Sequence, residues 1–144
     1  MSTLEVLIES FAFNRGRVLT LLDDIDQLEN PSKALGWRPG DGRAHIAWQL
    51  MHLGISEEIF ATEWLRELDE SPHREIWDRF RGGSTPDDDI PSSDEIRTVL
   101  ADSRRQLLES GVQMKRHILG QPLQNHTLLE VRSFRARPAF RDLP

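Results

Sequence analysis

Between Trp37 and Leu65 the chain reads WRPGDGRAHIAWQLMHLGISEEIFATEWL, a Pro-Gly turn feeding a segment with helical spacing that is apolar on more than one side. A helix apolar around most of its girth has to be buried, so other elements must surround it. The same segment carries His45 and His52. An imidazole on a buried helix requires a partner: a hydrogen bond, a carboxylate or a metal ion.

The flanking segments supply the surroundings. Ser2-Thr3-Leu4-Glu5 has capping-box spacing. After it Leu4, Leu7, Ile8, Phe11, Val18, Leu21, Leu22, Ile25 and Leu28 recur with helical period, skipping the turn that holds Asn14 and Arg15. Asn30-Pro31 is the expected stop of this first helix. Asp41 is the expected cap of the second, which runs to about Leu68 before Ser71-Pro72 breaks it. Ile76, Trp77 and Phe80 predict a short helix or turn tucked against the bundle, and Gly82 to Pro91 reads as loop. Ser92 and Glu95 form another capping box, opening a third helix with Ile96, Val99, Leu100, Leu107, Met114 and Ile118 on its apolar stripe. Gly120-Gln121-Pro122 ends it.

No segment shows sustained strand alternation, so the fold class is all-α: an up-down helical bundle, with antiparallel neighbours joined by loops. Beyond Pro122 only Leu123, Leu128, Leu129 and Val131 cluster as apolar residues, too few for a full fourth helix. The expected organisation is a helical domain over residues 1–131 and a poorly ordered tail over 132–144 carrying Arg132, Arg135, Arg137 and Arg141.

Composition narrows the function. A formal charge of −6 disfavours nucleic acid as a partner, because phosphates require a basic surface. The absence of cysteine removes disulfides, thiolate zinc sites and a cysteine nucleophile together. Apolar runs are too short for a membrane span, and Glu5 and Glu9 interrupt the N-terminal apolar positions, unlike a signal peptide. The cytoplasm is the expected location, with no membrane partner.

Motifs exclude more than they assign. There is no P-loop, nucleophile elbow or zincin His-Glu-x-x-His. The one Glu-x-x-His match, Glu70 to His73, contains Pro72 and cannot lie on a regular helix. Glu57-Glu58 reads as a solvated face. His45 and His52 share nearly one face but stand about 10 Å apart along the axis, too far to chelate one ion unaided. His45 reads as a boundary or capping residue, and His52 as a core imidazole or a metal ligand that recruits help from another helix. His117 lies near the end of the third helix, where a cation complements the dipole. His73 and His126 fall in loops. Trp37, Trp48, Trp64 and Trp77 are expected to fill core and pin loops, and Arg38 and Arg43 flank the turn as surface cations.

At this point a resemblance emerges. Trp37-Arg38-Pro39-Gly40, leading into Ala44-His45-Ile46-Ala47-Trp48-Gln49-Leu50-Met51-His52-Leu53, resembles the second-helix entry of DinB/YfiT-like proteins. The mid-stripe Asn14-Arg15 and the Pro-containing loop before the third helix are similar too. The resemblance implies a four-helix bundle, often dimeric and so a homo-oligomer, with a divalent metal (zinc, nickel or iron) held by three histidines. It places His52 as the second-helix ligand and the other two in a His-x-x-x-His pair on the last helix. It further implies relatives that are metal-dependent transferases or hydrolases acting on small thiols.

The present sequence departs from that pattern. Arg137 to Leu143 resembles the lead-in to the last helix, after which the chain stops, and no His-x-x-x-His pair occurs. The expectations are therefore a metal protein with an incomplete histidine site or a shortened chain. The alternative is a non-catalytic helical module that self-associates through an uncovered apolar groove. Enzymatic activity stays open on the sequence alone.

Overall fold

The computed structural model describes residues 2–66 and 70–118. The Leu123–Val131 cluster, His126 and the Arg-rich tail lie outside them, as does the side chain of His117. Among the described residues every regular element is a helix, as the patterning predicts.

Helix α1 spans Thr3–Asp26 and opens on the expected capping box. The Ser2 hydroxyl accepts the Glu5 N–H, and the Glu5 carboxylate accepts the Ser2 N–H at 2.5 Å. Its end comes before Asn30-Pro31, because those residues start something instead. Asn30 caps the short helix α2, Pro31–Leu35, its side chain accepting the Lys33 N–H at 3.0 Å. A proline at the first helical position lacks only a donor that would be orphaned there anyway.

Helix α3, Ile46–Ile59, runs on as a π-helical segment over Phe60–Arg66. Asp41 does not cap it. Gly42, at φ +68°, turns the chain in the left-handed region, and His45 becomes the cap. A 3-10 turn at Arg74–Ile76 leads into α4, Trp77–Phe80, the expected short helix of the crossover. Helix α5, Ser93–Ile118, begins at the Ser92–Glu95 box, with the Ser92 N–H given to the Glu95 carboxylate at 2.8 Å.

Cross-helix contacts fix the directions. Asp26 meets Ser93 and Arg97, and Asp23 meets Arg97, so α5 starts where α1 ends and the two are antiparallel. Gly54 faces Val99, Leu100 and Ser103, Glu57 meets Arg104, and the Ala61 carbonyl accepts the Ser110 hydroxyl. Numbers rise together along that interface, so α3 and α5 run parallel rather than as the expected antiparallel neighbours. The connection over residues 67–92 is long enough to return the chain to the starting end. A Cβ on Gly54 would lie 2.8 Å from Val99 Cγ1, and its absence lets the two helices approach closely.

The core is built on that contact, with Leu22, Ile25, Leu35, Trp48, Met51, Ile55, Trp77, Phe80, Ile96 and Leu100 buried. Helix α1 enters it only through its second half, at Val18, Leu19, Leu22 and Ile25. Leu7, Ile8, Phe11 and Phe13 on its first half stay exposed. Among the described residues no helix is long and apolar enough to cross a membrane.

Candidate functional site

Trp48 and His52 are four residues apart on α3 and therefore share one face. Their rings stack with centroids 4.8 Å apart and planes at 14°. The end of α4 lies over them. A helix end leaves carbonyls without intrahelical partners, and both rings use them: Trp48 Nε1–H donates to the Arg79 carbonyl at 3.1 Å, and His52 Nδ1 meets the Phe80 carbonyl at 2.7 Å. A carbonyl can only accept, so His52 carries a hydrogen on Nδ1, which in the neutral imidazole makes Nε2 the lone-pair nitrogen. Gly82 follows close by, its missing Cβ position 4.0 Å from His52 Cε1. The imidazole is half-buried, and among the described residues no hydrogen bond reaches Nε2.

The crossover above this face is tied down by charge. Arg79 makes a bidentate pair with Asp87 at 2.8 and 3.0 Å and also binds the Asp89 carbonyl. That guanidinium holds the Asp87 carboxyl below its usual pKa, and the carboxylate in turn raises that of Arg79. Arg38 is no free surface cation: it reaches the Arg43 and Asp87 carbonyls and the Asp88 carboxylate. Arg43 itself is exposed. Of the tryptophans, Trp48 and Trp77 are core. Trp37 is exposed instead, lining a shallow depression of about 400 Å³ with Leu28, Lys33, Ala34 and Ile46.

His45 caps α3 as its position suggests, its Nδ1 accepting the Trp48 N–H at 2.9 Å. Nε2 therefore carries the hydrogen and is buried without a partner. Burial lowers its pKa first and the Arg38 cation lowers it next, with Asp87 and Asp88 opposing and Arg79 assisting. The unfolded chain thus takes up this proton before the folded one as pH falls. The contribution of neutral His45 is complete above about pH 6.5, the unperturbed value, and declines below it. His45→Ser keeps a capping oxygen and is expected to lose less stability than wild type between pH 7.5 and 5 in urea unfolding. Parallel losses would assign the acid sensitivity elsewhere.

Glu57 and Glu58 are not a solvated face. Glu57 lies between Arg15 of α1 (2.5 Å) and Arg104 of α5 (2.6 Å), each side chain nearly buried. Glu58 is fully buried, and its Oε1 accepts both the His73 backbone N–H at 2.9 Å and Trp77 Nε1–H at 3.1 Å. His73, although it sits in a connection as expected, is partnered too: its Nε2–H donates to Asp102 at 3.0 Å, whose other oxygen accepts from Arg105 at 2.9 Å.

The fold thus separates the histidines by task. Among the described residues His45 caps, His73 ties the crossover to α5 through Nε2, and His52 is oriented through Nδ1 with Nε2 unpartnered. Among the described residues no three carboxylate or imidazole groups converge into a metal cage. A model of the DinB superfamily matches residues 7–136. No curated protein and no solved structure gives a match.

Proposed function

The chain belongs to the DinB superfamily, and on that premise we propose that it is a divalent-metal-binding protein whose prepared ligand is His52. The supporting observation is the hydrogen bond from His52 Nδ1 to the Phe80 carbonyl. Metal-ligating histidines commonly donate their second nitrogen to a carbonyl or carboxylate, which fixes the tautomer and raises ligand basicity. Stacking on Trp48 holds the ring plane as well. His52 supplies one coordination position, and among the described residues no group of three or more imidazole or carboxylate ligands converges to complete a site.

Zinc, nickel and iron all suit a neutral imidazole. Such an ion, when bound, would acidify a coordinated water or thiol. The chain's own contribution is to orient His52 and to exclude water from one side of it with Trp48 and the end of α4. A remnant of a metal-dependent thiol transferase or hydrolase is the finer form of this reading, with a small thiol as substrate. The exposed first half of α1, at Leu7, Phe11 and Phe13, supports including self-association.

Titration of chelator-stripped protein with Ni²⁺, followed by quenching of tryptophan fluorescence, tests the ligand. Wild type is expected to bind one equivalent. His52→Ala is expected to weaken binding by about tenfold or more, taking as the guide what loss of even an outer-shell partner does to metal affinity. Equal affinity in the two proteins would remove His52 from the site.

A further inference from the structure

The Arg15–Glu57–Arg104 cluster carries two guanidiniums against one carboxylate. Arg104 holds Glu57 with Nε at 3.2 Å and Nη2 at 2.6 Å, and Arg15 reaches it with Nη2 alone. Arg15 Nε, Arg15 Nη1 and Arg104 Nη1 are left buried with no hydrogen-bond partner. Arg15 as a whole is only 8% exposed. Buried N–H donors on a charged group require an acceptor, and a planar guanidinium is shaped to take a carboxylate through two of them.

Around the cluster the surface turns apolar. The Phe11 ring lies 5.4 Å from Arg104 Cζ, and Phe11 is 41% exposed. Phe60, one turn beyond Glu57, and Leu108, one turn beyond Arg104, are exposed as well. An inorganic anion would answer the charge and leave this rim wet. From the surplus cation, the unpartnered donors and the apolar rim together, we infer that the junction of α1, α3 and α5 binds a small carboxylate with an apolar body. The carboxylate takes the free donors of Arg15 and Arg104, and the body displaces Phe11 from its place over Arg104. Glu57 is the internal competitor for the same donors. The site is independent of His52 and of any metal.

Calorimetric titration at fixed ionic strength with acetate, hexanoate and hexan-1-ol reads the proposal out. Wild type is expected to bind hexanoate saturably at one site, about tenfold or more tighter than acetate because of the added methylenes, and not to bind hexan-1-ol. Glu57→Gln takes the charge from the competitor and leaves it a weaker acceptor, so hexanoate should bind at least about tenfold tighter and raise the thermal midpoint of this variant more than that of wild type. Arg104→Met should abolish binding, and E57Q carries the test even where R104M does not fold. Hexan-1-ol binding as well as hexanoate, or E57Q binding hexanoate no tighter than wild type, would overturn the site.

Discussion

Glu57→Ala is expected to destabilise the fold by about 3–5 kcal/mol, the range found when one partner of a buried ion pair is removed and the other is left uncompensated. Here the loss is compounded. Glu57 is the carboxylate that lets Arg15 and Arg104 stand near each other, and both side chains are almost out of water. Burial already lowers the Arg15 pKa, Glu57 works against that, and the Arg104 charge adds to it. Without Glu57 only the two unfavourable influences remain. Urea unfolding followed by far-ultraviolet circular dichroism would measure the change. Glu57→Gln should fall between wild type and alanine, since an amide oxygen still accepts from one guanidinium. A loss below about 1 kcal/mol, the scale of an exposed pair, would mean that the cluster is solvated.

The expected size of that effect shows where sequence reading failed. Periodicity located the three long helices and much of the core of α3 and α5, but in α1 the stripe is buried at Leu22 and Ile25 and exposed at Leu7, Ile8 and Phe11. The capping boxes at Ser2 and Ser92 were legible because both ends of each hydrogen bond lie within one turn. Charged residues inside a stripe were not. Arg15 stands four residues after Phe11 and three before Val18, squarely on the apolar face of α1. Glu58 follows Ile55 by three and precedes Thr62 by four on the inner face of α3. Each looks like a break in a pattern until its partner is known, and the partners come from elements 42 and 15 or more residues away. The usable signal was the position itself: a charge in the middle of an apolar stripe demands an opposite charge or a donor from a neighbouring element.

The site divides along the same line. His52 was legible as a residue, because an imidazole on an apolar helix is a short-range anomaly. Its orientation was not, since the carbonyl that fixes the tautomer belongs to α4, 28 residues further on. Helix direction was likewise beyond the pattern. Stripe and period are the same for a parallel and an antiparallel neighbour, and only the contacts of Gly54 and Glu57 with α5 show that α3 and α5 run together.

The crossover that produces this arrangement is anchored in the core by Trp77. Trp77→Ala is expected to destabilise by about 3–5 kcal/mol, as for large aromatics removed from a core. Trp77 is 2% exposed, and its ring nitrogen supplies one of the two donors on Glu58 Oε1. Arg74 stacks its guanidinium 4.1 Å from the ring centroid. Trp77→Phe separates packing from hydrogen bonding: it keeps much of the apolar volume but deletes the N–H. Glu58 already has one buried oxygen without a partner, so losing a donor on the other should cost about 1–3 kcal/mol beyond the volume change. The double variant Trp77→Phe with Glu58→Gln distinguishes the two contributions, because a neutral amide has far less need of the lost donor. Recovery of part of the stability in the double variant places the cost on the stranded carboxylate. Strict additivity would place it on packing alone, and the crossover would then be held by shape rather than by charge.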